Sequence, residues 1–147
     1  MTDYSNIIGV CDIGCLVDSS LFNIDGTAIN DQGVTLIGRA VTVKKVDHGY
    51  KIINHDFTDN SNQYGIVLRD YSEYCKEHYD SGDAINVVTS GRVWVDMADQ
   101  SRLPENGDPV CIDGGGVITT DGIKTKWIFT GEFSRLTHNR VLAAIQI

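Results

Sequence analysis

The chain has 147 residues, 41% hydrophobic and 22% charged, with 20 acidic and 12 basic side chains and a formal net charge of −8. That length suits one domain with an ordinary core, so neither metal nor disulfide staples are needed for folding. No apolar run approaches the roughly 20 residues that span a bilayer, and the opening MTDYSNIIGV has no basic n-region, so membrane and secretory readings are not expected. Binding to a phosphate backbone rests on Lys and Arg, so the acidic excess also disfavours direct nucleic-acid partners.

Residue types point to sheets. Val, Ile and Thr together number 41, against 15 for Leu, Ala and Met. β-Branched side chains are stiff at χ1 and suit a pleated surface better than a helix. The acids are 16 Asp and only 4 Glu, alongside nine Asn. Asp and Asn bond to nearby backbone and make turns. The composition predicts an all-β fold: a β-sandwich or jelly-roll-like small barrel with short hairpins and at most one short helix.

In chain order, residues 1–35 form a first unit. Ile7-Ile8-Gly9-Val10 and Leu16 to Ile24 are apolar enough to pack, yet Gly14, Ser19, Ser20, Asp25 and Gly26 break any period. No Lys or Arg precedes Arg39, while Asp3, Asp12, Asp18, Asp25 and Asp31 make the stretch acidic. Two readings stay open: edge strands and loops, or an extended arm that folds against a neighbouring subunit.

Residues 36–147 read as a β-rich body. Leu36 to Val46 is a strand, Asp47-His48-Gly49 its turn and Tyr50 to Ile53 the returning strand. Asn54 to Gln63 reads as a solvated loop, and Tyr64 to Leu68 as a short strand buried on both faces. Asp70 to Tyr79 is the one place for one or two helical turns. Ala84 to Thr89 and Arg92 to Met97 flank Ser90-Gly91, a two-residue hairpin signature.

Further turns at Leu103 to Asp108, Gly114 to Gly116 and Asp121-Gly122 separate strands at Pro109 to Ile112, Val117 to Thr119 and Lys124 to Thr130. Val141 to Ile147 reads as a last strand that stops on Ile147 with no polar tail, so it is expected to be tucked into a sheet. Gly82-Asp83-Ala84-Ile85-Asn86-Val87 and Gly107-Asp108-Pro109-Val110-Cys111-Ile112 repeat a turn, a Gly-Asp and a strand 25 positions apart.

No chemical constellation rises above background. Cys11 and Cys15 lack the second close ligand pair of a structural zinc site, and Cys75, Cys111 and His48, His55, His78 and His138 are scattered. Buried free thiols are the expectation. His55 to Asn60 lacks the central Gly and terminal Glu of a calcium loop. Gly114-Gly115-Gly116 has no following Lys-Ser/Thr to complete a phosphate cradle. With no nucleophile elbow either, no catalytic, metal-binding or cofactor-binding residue is assigned and no cofactor is expected.

The order of segments carries a resemblance. Gly38-Arg39-Ala40-Val41, Gly65-Ile66-Val67-Leu68-Arg69, Tyr79-Asp80-Ser81-Gly82-Asp83-Ala84-Ile85-Asn86-Val87, Gly91-Arg92-Val93-Trp94-Val95 and Gly107-Asp108-Pro109-Val110 resemble the structural cement, or capsid decoration, proteins of tailed bacteriophages. The match is best over residues 36–112 and weaker from Trp127 through Gly131 to Ile147.

This resemblance implies a non-enzymatic virion protein, made in the host cytoplasm, that sits on the outer capsid surface. It implies stabilisation by bridging major capsid protein subunits, with the chain acting as a homo-oligomer, a trimer favoured over a dimer. Capsid contact is then expected from Ile7, Ile8, Val10, Leu21 and Phe22, and subunit contact from Arg39, Arg69, Arg92 and Trp94. The rival within the virion is a head-fibre or receptor-binding module, with Tyr71, Tyr74 and Tyr79 stacking on glycan. A nucleotide hydrolase of the deoxyuridine-triphosphatase kind, which Gly65 to Tyr71 is faintly similar to, lacks its glycine-rich C-terminal motif here.

Overall fold

The computed structural model describes residues 13–18, 20–31, 35–69, 78–97, 103–135 and 141–147. Among them the protein is all-β and has no helix. The strands are β1 (Asn23–Asn30), β2 (Thr35–Leu36), β3 (Ala40–Asp47), β4 (Tyr50–Asn54), β5 (Gly65–Val67), β6 (His78–Tyr79), β7 (Ala84–Ser90), β8 (Arg92–Asp96), β9 (Pro109–Ile112), β10 (Ile118–Thr119), β11 (Ile123–Arg135) and β12 (Val141–Gln146). Five close into a barrel in the order β1-β4-β3-β5-β7, and five form a curled sheet in the order β10-β9-β11-β12-β8. The pair β2-β6 stands apart.

Three expectations meet the structure directly. β3 and β4 form a hairpin closed by Asp47↔Tyr50, and its central residues His48 and Gly49 have φ of 50° and 84°. Positive φ at both positions is the geometry whose twist matches two antiparallel strands. β5 is buried along its whole length, and β12 lies between β11 and β8. Of the residues proposed for a helical turn, 70–77 lie outside the described residues, while His78–Tyr79 is strand β6.

The hairpin expected at Ser90-Gly91 is not one. β7 pairs with β1 and β5 in the barrel, whereas β8 pairs with β12 in the sheet. Ser90-Gly91 is therefore the crossover between the two layers. Gly91 takes φ +117° and exchanges both backbone hydrogen bonds with Ile147 rather than turning β8 back on β7.

Packing explains the uninterrupted apolar runs. Side chains alternate across a strand, and here both faces are buried. Val67 joins one core cluster with Val41, Ile53, Ile85 and Val87, while its neighbour Ile66 joins a second with Ala40 and Phe57. In the curled sheet, Trp94, Leu142 and Ala144 belong to the first cluster, and Val93, Val95, Ala143 and Ile145 to the second. A strand with cores on both sides has no place for polar alternation.

The sequence echo is also structural at the level of its turns. Asp83 and Asp108 donate their N–H groups to Asp80 and Glu105 carbonyls, both at 3.1 Å, and each accepts the return bond on its carboxylate. Gly82 and Gly107 then donate to Asn30 and Phe129 carbonyls at 3.0 and 2.9 Å. The same turn thus opens β7 in the barrel and β9 in the sheet.

Candidate functional site

Strand register gathers one set of side chains at one end of the barrel. β1 and β4 run parallel with Ala28 opposite Lys51, so residues preceding each lie toward the same end. Asn23 pairs with Ser90, which brings the close of β7 there too. This end therefore carries Leu21 and Phe22 ahead of β1, the Ser90-Gly91 crossover, and the tip of the β3–β4 hairpin.

Exposed apolar surface concentrates there. Leu21 is 95% exposed, Val46 65%, Tyr50 52% and Phe22 49%, four of the six large hydrophobics exposed among the described residues. The other two, Ile128 and Phe133, lie on β11. Val46 and Tyr50 are exposed because the hairpin leaves the barrel wall: Ala40 to Thr42 are buried, whereas Lys44 to Asp47 are all exposed. A groove of about 470 Å³ beside this ridge is lined by Leu21, Ser90, Gly91, Arg92 and Ile147 among others. A Cβ on Gly91 would stand 2.7 Å from the Phe22 Cβ, so the bare backbone of the crossover is what seats Phe22.

Several charges at this end are paired within the chain, and Lys44 on the hairpin reaches Asp31 at 2.9 Å. Arg92 lies 3.0 Å from the Asp18 carboxylate, which also accepts from the Ser20 hydroxyl and N–H. The Ser20 bonds, with Arg92 adding to them, hold Asp18 below the usual carboxylate range. Lys51 lies 2.8 Å from Asp25, which also accepts from Thr27 and the Tyr64 hydroxyl. Burial alone would raise Asp25, yet these donors outweigh it and keep the carboxyl far below its ordinary value. Its carboxylate raises Lys51 in turn, and Tyr64 is raised by burial and by the same carboxylate. At the hairpin tip, His48 Nδ1 sits 2.6 Å from Asp47.

The sequence-predicted residues divide. Leu21 and Phe22 are exposed at this end, while Ile7, Ile8 and Val10 lie outside the described residues. Arg92 flanks the groove. Arg39 is partly buried, and Arg69 donates through Nε to the Ile13 carbonyl at 2.9 Å. Trp94 is only 6% exposed and packs in the first core cluster, with its indole N–H buried without a hydrogen-bond partner. The barrel end thus collects Leu21, Phe22 and Arg92 but neither Arg69 nor Trp94.

Of the tyrosines expected to stack on glycan, Tyr79 is buried and donates to the Leu68 carbonyl, whereas Tyr71 and Tyr74 lie outside the described residues. Cys15 and Cys111 are buried free thiols. Among the described residues no group of three or more His, Cys, Asp or Glu could hold a metal ion, and no helix is long and apolar enough to cross a membrane. Val46 and Tyr50 lie in strands as the sequence predicts, but sequence reasoning missed that they are exposed. Their exposure has no local signal, because it depends on where the β3–β4 hairpin leaves the barrel wall.

No curated protein matches the chain. A solved structure, the capsid of Myoviridae phage XM1, superposes with a TM-score of 0.66 over 92% of this chain and 88% of that one, at 18% identity. That likeness establishes a shared fold. The model of the XM1 gp53 minor capsid protein family matches residues 1–147. The chain belongs to the XM1 gp53 minor capsid protein family and is a phage capsid-associated structural protein.

Proposed function

We propose that the protein is a non-enzymatic cement that binds the outer capsid surface and stabilises it by bridging major capsid protein subunits. The observation that carries this reading is the concentration of exposed Leu21, Phe22, Val46 and Tyr50 at one barrel end. Soluble proteins rarely gather such side chains without a partner to cover them. Two separate elements, the Leu21-Phe22 ridge and the β3–β4 hairpin, supply them, which suits contact with more than one coat subunit.

The net charge of −8 favours the outer face, away from packaged nucleic acid. Residues before Ile13, with Ile7, Ile8 and Val10, add a second capsid contact as an arm. A homotrimer, using partly exposed Arg39 and Arg92 at its rims, would multiply these contacts at high effective concentration.

Cryo-electron microscopy of virions tests the proposal. Density for this chain outside the shell, touching two or more coat subunits around a symmetry axis, is the expected result. Density inside the shell, or on a single coat subunit without bridging, would refute it.

A further inference from the structure

We infer that the coat surface met by this barrel end is apolar and uncharged, so that attachment there is insensitive to salt. The inference rests on the docking reading above and names the partner chemistry of that same site. The whole chain carries 20 acidic and 12 basic side chains. On the hairpin Lys44 is taken up by Asp31 at 2.9 Å, and the remaining acids of the barrel end, Asp18, Asp25 and Asp47, equal in number the bases Lys45, Lys51 and Arg92. Asp18 is taken up by Arg92 and Ser20, and Asp25 by Lys51, Thr27 and Tyr64. Asp47 and Lys45 stand two residues apart on one face of the hairpin.

The acidic excess of the barrel lies elsewhere. Asp56 follows the far end of β4, and Asp80 and Asp83 precede β7 at that same far end. Interfaces steered by charge present one sign to the other. This end presents no excess of either: it offers exposed aliphatic and aromatic groups among acids and bases in equal number, with Asp18, Asp25 and Asp31 each paired to a base within the chain. A charged coat patch laid against it would lose water and gain no counter-charge, which costs affinity. An uncharged segment entering the groove of about 470 Å³ beside Leu21 meets Leu21 and Ile147 together with the Ser20 and Ser90 hydroxyls and the Gln146 amide, with Arg92 already paired to Asp18, so it needs no counter-charge.

The test uses the full-length chain and heads assembled without it, with affinity measured from 50 mM to 1 M NaCl. Screening contracts from about 14 Å to about 3 Å over that range, so a charge-driven contact would weaken steeply. Affinity at 1 M within threefold of that at 50 mM, or tighter, is expected, as is tightening in sodium sulfate. A loss of more than threefold overturns the inference.

The variant Leu21→Asp locates the effect. It should bind at least tenfold more weakly while melting like the parent, and unchanged binding overturns the assignment to this end. If the folded parent binds heads at no salt concentration, the docking reading itself falls and takes this inference with it.

Discussion

Truncating Leu21 separates docking from folding. The side chain is 95% exposed, so Leu21→Ala removes three carbons that contribute almost nothing to the isolated chain. Exposed substitutions of this kind change stability by within about 0.5 kcal/mol. For a chain of this size that is under about 2 °C in melting temperature. If docking buries the side chain fully, each lost carbon costs about 0.8 kcal/mol, or about 2.4 kcal/mol together, and affinity falls about 50-fold.

The assay is co-sedimentation with heads assembled without the protein, paired with thermal melting of the free chain. Ile145→Ala is the control: Ile145 is fully buried in the second core cluster, so its truncation should cost about 2–5 kcal/mol in stability. The fraction of that variant remaining folded should bind as the parent does. Binding by Leu21→Ala within twofold of the parent would refute the reasoning, as would a melting loss comparable to that of Ile145→Ala.

Other predictions read different parts of the molecule. A Cβ on Gly65 would meet the Val88 carbonyl oxygen at 2.2 Å, whereas one on Gly114 meets nothing closer than 3.8 Å. Gly65→Ala should therefore lose about 1–3 kcal/mol by denaturant unfolding and Gly114→Ala almost nothing; equal effects would contradict the packing. His55 is held below its ordinary value of 6.5 by burial, opposed by its 2.8 Å bond to the Ala40 carbonyl. Below pH 6.5 the unfolded chain binds a proton that the folded chain resists, so stability falls as pH drops, by up to about 1.4 kcal/mol per unit. His55→Asn should shrink the stability difference between pH 7 and pH 5, and an unchanged difference would show that the ring is not the cause. Asp25 is depressed, so its contribution is present above pH 3.8 and lost as pH falls below that value. Asp25→Asn should flatten the acid limb below pH 4 in circular dichroism, and an acid limb as steep as the parent's would count against the Lys51 and Tyr64 bonds.

The legible parts of the fold are those whose determinants are local. His48-Gly49 between two β-branched runs fixes the β3–β4 hairpin because few residue pairs tolerate positive φ twice over. The apolar run Val141-Leu142-Ala143-Ala144-Ile145 predicts a buried strand because no polar residue interrupts it. Ser90-Gly91 misled for the opposite reason. Its local grammar is that of a hairpin, but the partner of β8 is decided by β12, some fifty residues onward. β1 was hidden in residues 23–30 because Asp25 and Gly26 break the alternation, and the structure absorbs them in a register shift between Asp25 and Ala28. Its parallel pairing with β4 leaves no mark in either segment. Of the exposed barrel end, Leu21 and Phe22 are legible as apolar residues without a period, whereas the exposure of Val46 and Tyr50 depends on the hairpin leaving the barrel wall.

The exposed ridge is not apolar surface the fold had no room for. β5, β8 and β12 place successive side chains in two different cores, so the protein has interior on both sides of its central strands. What remains outside is confined mainly to one barrel end, beside carboxylates that already have donors. Covering that end would release water from Leu21, Phe22, Val46 and Tyr50, while the half-exposed Asp18–Arg92 pair could stay wet at the rim. An apolar centre with a polar rim is the ordinary anatomy of a specific interface. Such an interface gains little from long-range steering, so affinity resides in the rate of leaving rather than the rate of arrival. A slow leaving rate is the property a protein needs if its task is to hold neighbouring subunits together.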